Sequence, residues 1–276
     1  MINEPVRAIV EMALAEDVGP GDITTAITVA VDTQARAEIV AKQDLVVSGL
    51  LPARLTFASV DPDVSFKALV SDGDRISAGT VLVEIQGRAA SILTAERVAL
   101  NFMMRLSGVA TMTSRYVAAV KGHKARIVDT RKTTPGMRVL EKAAVRHGGG
   151  FNHRHALFDG ILIKDNHIAA AGSITNAVTR ARQQAPHTMK VEVEVVDLAG
   201  LAEAIKAGAD VVLLDNMDTD MMTAAVKAAD GRVLLEASGG VNLETIGAIA
   251  ATGVDLISAG ALTHSAPAVD LSLRFL

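Results

Sequence analysis

Between residues 125 and 260 six short apolar runs recur, each ending in charge or glycine. They are ARIVDT (125–130), GILIKD (160–165), KVEVEV (190–195), VVLLDN (211–216), RVLLEAS (232–238) and VDLISAG (254–260). Stretches of helical period follow the second to fifth runs: SITNAVTRARQQA, DLAGLAEAIKAG, DTDMMTAAVKAAD and NLETIGAIAATG. Strand candidates repeated at intervals of about 20–30 residues, with helices between them, specify parallel βα units with right-handed crossovers. Six or seven such units with no evident edge strand read, from periodicity alone, as a closed α/β barrel.

The preceding part of the chain has a different rhythm. EPVRAIVEMALA (4–15) is helical in period and breaks at Val18–Gly21. From Ala35 to Gln86 the runs ARAEIVAK, DLVVSG, VSFKALV and TVLVEIQG are punctuated by DPD (61–63), SDGD (71–74) and SAG (77–79). That pattern predicts an antiparallel, hairpin-rich region. Ile92–Val120 predicts helix with a breaker at Ser107-Gly108, and the tail APAVDLSLRFL alternates like a strand. The expected organisation is an α+β domain over 1–110, to which the tail 266–276 returns, and a barrel domain over 111–265.

Composition narrows the function. With six Phe, one Tyr and no Trp in 276 residues, the core must be built from Ala, Val, Leu, Ile and Met, which suits strands buried on both faces. The absence of cysteine excludes thiolate nucleophiles, disulfides and zinc–sulfur sites. A formal net charge of -4 argues against a nucleic-acid binder, which needs a broad basic face. The first residues lack a signal-peptide pattern, and no apolar run is long enough to span a bilayer. A soluble, cytoplasmic protein with no membrane partner is expected.

Charge falls where the strands end. Loops leaving the carboxyl ends of barrel strands converge on one face, so residues distant in sequence meet there. Within KVEVEV, Glu192 and Glu194 are two apart and share a face of the strand; two acids in a confined interior need a cation, a metal or sugar hydroxyls. Asp215, closing VVLLD, is the natural second carboxylate for Mg²⁺, which takes oxygen ligands together with water and phosphate. The segment 129–154 gathers Arg131, Lys132, Arg138, Lys142, Arg146 and Arg154 against only Asp129 and Glu141. Arg138, Lys142 and Arg146 have the spacing of one helix face near Glu141. Arg131, Lys132 and Arg154 adjoin Thr-Pro-Gly and Gly-Gly-Gly breaks, with His153 and His155 beside them, and suit an anionic substrate. Lys164 reads equally as an anion ligand or a Schiff-base former. Ser238-Gly239-Gly240 and Ser258-Ala259-Gly260, the latter with His264 close behind, follow strands and can cradle a phosphate with backbone amides. Together these residues suit chemistry at a phosphorylated sugar bearing pyrophosphate.

The segments that carry these residues resemble the quinolinate phosphoribosyltransferase family. They are EDVGPGDITT (16–25), TAERVALNFMMRLSGVAT (94–111), DTRKTTPGMRVLEKAAVRHGGGFNHR (129–154), LIKDNHI (162–168), VEVEV (191–195), LLDN (213–216), EASGG (236–240) and SAGALTHS (258–265). The resemblance implies an N-terminal α/β sandwich domain and an open or incomplete α/β barrel. It implies Mg²⁺-dependent transfer of phosphoribose from phosphoribosyl pyrophosphate to quinolinate, with loss of CO₂ and pyrophosphate. It implies a homodimer with shared active sites, or a higher oligomer built from it. By the same resemblance Arg131, Arg154 and Lys164, with His153, clamp the quinolinate carboxylates, and Arg97 comes from the neighbouring subunit. Lys132 binds phosphoribosyl pyrophosphate; Glu194 and Asp215 lie near its ribose and magnesium. Ser238, Gly239, Gly240 and Gly260, with His264, cradle the 5′-phosphate. Arg105 matches a further family segment, with a role in packing or subunit contact. Rival readings are a paralogue acting on another carboxylated base, a Schiff-base aldolase using Lys164, and a non-catalytic binding protein.

Overall fold

A computed structural model describes residues 3–276. In chain order the first elements are α1 (Asn3–Val18), α2 (Ile23–Thr28), β1 (Gln34–Ala41), β2 (Leu45–Val46), α3 (Leu50–Val60), β3 (Ser65–Ala68), β4 (Arg75–Ile76), β5 (Val81–Arg88) and α4 (Ala89–Ala119). Then come β6 (Arg126–Val128), α5 (Arg138–His147), β7 (Ile161–Ile163), α6 (Asp165–Ala171), α7 (Ile174–Gln184), β8 (Val191–Val195) and α8 (Leu198–Ala207). The last are β9 (Val211–Asp215), α9 (Thr219–Ala229), β10 (Leu234–Ser238), α10 (Ile246–Ala251), β11 (Leu256–Ser258), α11 (Ala261–His264) and β12 (Leu271–Phe275). Two compact units result. One holds the chain through Ser114 together with Thr133–Gly149 and Ser265–Leu276; the other holds Arg115–Lys132 and Gly150–His264.

The first unit is built on an antiparallel sheet of order β12-β1-β5-β3. Ile39 lies opposite Leu273 on one side and Val83 on the other. Its core joins Ile39, Leu82 and Ile85 of the sheet to Phe57 of α3 and to Ile92, Leu100 and Met103 of α4. The region is antiparallel, yet it is not the string of hairpins the turn residues suggest. β1 skips β2 to pair with β5 and the C-terminal β12, and α3 occupies 50–60. Pro52, Ala53, Thr56 and Phe57 are buried at helical spacing, and proline in the first turn removes no intrahelical bond.

The expected break at Ser107-Gly108 is absent, because α4 continues through it for 31 residues. Gly108 serves close approach instead. A Cβ there would lie 2.1 Å from the Pro267 carbonyl oxygen, backbone that cannot rotate away. Gly108→Ala should therefore lower stability by about 1–3 kcal/mol, read as a fall of several degrees in Tm.

The basic face expected for α5 is also revised. Lys142 is buried rather than solvated, and Glu141, fully buried, accepts from Arg105 Nη2 at 2.7 Å and from Thr134 N–H at 2.9 Å. Arg105 thus has a packing role.

The second unit is a six-stranded parallel sheet, order β6-β11-β10-β9-β8-β7. Each strand falls within its apolar run. Ser173, Asp197 and Asp218, the polar residues opening the predicted helices, accept from backbone amides as N-caps of α7, α8 and α9. The sheet curls, since residues from all six strands line one interior cavity, but β6 and β7 do not pair. Beyond β6, Phe151 adds an isolated parallel bridge to Val128. The closed barrel suggested by periodicity is therefore an incomplete one. Among the described residues no helix is long and apolar enough to cross a membrane.

Candidate active site

At the carboxyl ends of the six strands lies a pocket of about 370 Å³, and the second unit supplies its whole lining. β6 runs into Thr130, Arg131 and Lys132, and the segment after Gly150 brings His153 and Arg154. β7 ends at Lys164, β8 contributes Glu194, and β9 contributes Asp215 and Asn216. β10 supplies Glu236 and leads into Ser238, Gly239 and Gly240.

The cationic side is held by a buried carboxylate that the sequence did not single out. Asp129, with no exposed surface, accepts from the His153 N–H at 2.9 Å and from Asn152 Nδ2 at 2.5 Å. It ties the 151–154 segment to the end of β6, two residues before Arg131. Arg154 donates to the Gly160 carbonyl at 3.2 Å. Burial, then the adjacent Arg131 charge, lowers the Arg154 pKa from its ordinary value, against an opposing pull from Glu192 and Asp159. Two guanidinium groups held this close favour an anion between them.

Glu192 and Glu194 both face the interior, as their spacing requires, and each has a positive or hydrogen-donating neighbour. Lys164 Nζ meets Glu194 Oε2 at 2.5 Å. Lys164 therefore stands between the anion-binding side and the acidic side rather than wholly with the arginines. Lys164 also begins α6, its N–H donating to His167 Nδ1 at 2.9 Å.

His153 sits deeper. The Arg154 amide donates to its Nδ1 at 2.7 Å. An amide can only donate, so Nδ1 carries the lone pair and the ring hydrogen is on Nε2. Nε2 in turn lies 3.1 Å from Glu192 Oε2 and 3.6 Å from Glu236 Oε2. Both carboxylates are buried, and the second oxygen of each has no hydrogen-bond partner. A metal ion at Nε2 would leave the ring with no hydrogen on either nitrogen, so the geometry favours a hydrogen-bonded triad over a metal centre. Burial first, then the Glu192 charge, pushes Glu236 up to about 7. Glu236 falls inside the EASGG segment, and nothing in that run of sequence marks it as facing Glu192.

The glycine-rich end follows. Gly239 and Gly240 have φ of +95° and +60°, conformations that L side chains rarely adopt. A Cβ on Gly239 would fall 2.1 Å from Asn216 Oδ1, and Asn216 donates from Nδ2 to Asp215 Oδ2 at 2.9 Å. A Cβ on Gly260 would meet His264 Nε2 and the Lys132 side chain, each at 3.0 Å. The Thr263 hydroxyl donates to the Lys132 carbonyl at 2.8 Å. Gly260, His264 and Lys132 are thus neighbours, although Gly260 and His264 are not part of the pocket lining given above. Arg97 belongs to the first unit, exposed on α4.

Two family models match the chain: the N-terminal domain of quinolinate phosphoribosyl transferase over residues 22–107, and its C-terminal domain over 109–274. A probable nicotinate-nucleotide pyrophosphorylase (carboxylating) from Synechocystis is 47% identical over 264 residues, covering 95% of this chain and 89% of its own. One of the same description from Bacillus subtilis is 46% identical over 258 residues, covering 94% and 89%. The solved nicotinate-nucleotide pyrophosphorylase of Francisella tularensis superposes with a TM-score of 0.94 at 43% identity, covering 99% of this chain and 97% of that one.

Proposed function

This chain belongs to the quinolinate phosphoribosyltransferase family, and from that membership we propose how its own residues divide the reaction. It is a carboxylating nicotinate-nucleotide pyrophosphorylase, a pentosyltransferase of NAD biosynthesis. Its substrates are quinolinate and phosphoribosyl pyrophosphate; its products are nicotinate mononucleotide, CO₂ and pyrophosphate. The observation that carries the division of labour is one pocket lined by Arg131 and Arg154 as well as by Glu194, Asp215 and Ser238–Gly240.

Arg131 and Arg154 hold the two carboxylates of quinolinate, with Lys164 reaching the anion from beside Glu194. His153 fixes Arg154 through its ring rather than offering a nitrogen to the substrate. The clamp aims the ring nitrogen at the sugar's C1, which converts an encounter of two molecules into a positioned one. Ser238, Gly239, Gly240 and Gly260, with His264, receive the 5′-phosphate. Lys132 meets the pyrophosphate. Glu194 lies where positive charge grows at C1 as pyrophosphate leaves.

Glu194 and Asp215 offer oxygen donors only, the chemistry Mg²⁺ prefers. Asp215 and Glu194 are the residues that would hold the ion, Glu194 being also engaged by Lys164. An Mg²⁺ ion held there would supply positive charge to offset the negative charge of the departing pyrophosphate. The reading includes a cytoplasmic homodimer in which Arg97 serves the neighbouring subunit's pocket.

With quinolinate, phosphoribosyl pyrophosphate and Mg²⁺, the protein should release CO₂ and pyrophosphate in equal amounts with nicotinate mononucleotide. Removing Mg²⁺ with a chelator should stop the reaction, and nicotinate should be a poor substitute for the diacid. Equal use of nicotinate would contradict the two-arginine clamp.

A further inference from the structure

The interior of an α/β barrel is ordinarily filled by branched aliphatic side chains. Here two glutamates and a histidine stand in its middle. Glu236 is 1% exposed and Glu192 7%, and each keeps an oxygen with no hydrogen-bond partner. Burying two carboxylates side by side is unfavourable unless a proton lies between them. His153 has one ring hydrogen to give, on Nε2, and that hydrogen points nearest Glu192. Glu236 is left as the group that needs a proton of its own.

Glu236 also stands between two spaces. On one side it lines the pocket with Arg131, Arg154 and Lys164. On the other it lines, with Glu192 and His153, a second cavity of about 400 Å³ whose wall includes Arg126, Lys190 and Leu256, at the amino ends of β6, β8 and β11. A proton given up on the substrate side can be replaced from the opposite end of the barrel.

The chemistry has an open place for such a group. Loss of CO₂ breaks the bond from ring C2 to its carboxylate carbon and leaves the electron pair on C2, beside the cationic ribosylated nitrogen. Nicotinate mononucleotide carries a hydrogen at that carbon, so each turnover takes up one proton there. We propose that Glu236 is the acid that supplies it. The Glu236 O–H bond breaks as the C2–H bond forms, the carboxylate remains, and a solvent proton restores it from the second cavity, which Glu236 itself lines. A prompt proton also keeps CO₂ from recombining with the carbanion. The elevation of Glu236 to about 7, from burial and the Glu192 charge, keeps a protonated fraction at neutral pH. His153 and the Ser258 hydroxyl, which also face it, pull the other way.

The inference rests on the pocket reading above, and the two fail differently. An Arg131→Ala variant with unchanged KM for quinolinate would refute the clamp and leave Glu236 untouched. The test is a single-turnover quench of Glu236→Gln that follows pyrophosphate, nicotinate mononucleotide and the ribosylated diacid separately. Pyrophosphate should appear at the wild-type rate, while nicotinate mononucleotide forms roughly 10²–10⁴-fold more slowly and the ribosylated diacid accumulates. Glu236→Asp, which keeps an acidic proton, should restore part of the loss. In wild type, mononucleotide formation should lag pyrophosphate release increasingly as pH rises through about 7, because Glu236 then loses its proton; this needs no variant to fold. Wild-type product formation by Glu236→Gln, equal slowing of pyrophosphate and product, a pH-independent lag, or a stoichiometric metal ion in the triad would each overturn the proposal.

Discussion

Arg131→Ala should raise the KM for quinolinate by roughly two to three orders of magnitude and leave the affinity for phosphoribosyl pyrophosphate nearly unchanged. The magnitude follows from removing one member of a partly buried charge pair, which costs about 3–4 kcal/mol when the opposing anion is desolvated. The selectivity follows from place. Arg131 leaves β6 beside Arg154, whose guanidinium already feels it, whereas the glycine cradle is reached from β10 and β11. Lysine at 131 should recover only part of the loss, because a point charge cannot match a carboxylate at two atoms. Initial rates with each substrate varied in turn decide the matter. Equal damage to both KM values would mean that Arg131 supports the pocket rather than holding the diacid.

Asp215→Asn is expected to lower kcat by roughly 10²–10³-fold and to raise the Mg²⁺ concentration needed for half-maximal rate. Asparagine is nearly the same size, and position 215 lies at the end of β9 where the side chain is only partly buried, so the fold should survive. What changes is one negative charge at the metal-binding side. A magnesium titration of the variant is the informative measurement. A normal magnesium requirement with normal kcat would move the metal away from this carboxylate.

Much of this architecture was legible because it rests on local rules. The six apolar runs became β6 to β11 since strands covered on both faces must be apolar throughout, and capping residues marked where α7, α8 and α9 begin. The two-residue spacing of Glu192 and Glu194 fixed their common face. What escaped depends on contacts far along the chain. Gly108 looks like a helix breaker until the backbone of Pro267 is set against it. Lys142 looks solvated by spacing, yet α5 buries it. Asp129 and Glu236 carry no local signal, for each matters through residues of distant segments, His153 among them. Likewise the Lys164–Glu194 contact joins two residues that the sequence had assigned to opposite sides of the substrate.

The central claim is spatial: a diacid sits between Arg131 and Arg154 while the phosphorylated sugar occupies the side bearing Asp215 and Gly239. A crystal structure with quinolinate and an unreactive analogue of phosphoribosyl pyrophosphate tests it most directly. Both ring carboxylates should lie within hydrogen-bond reach of the arginines, with the 5′-phosphate against the amides of Gly239 and Gly240. Quinolinate bound instead beside Asp215, or on another face of the barrel, would contradict the account.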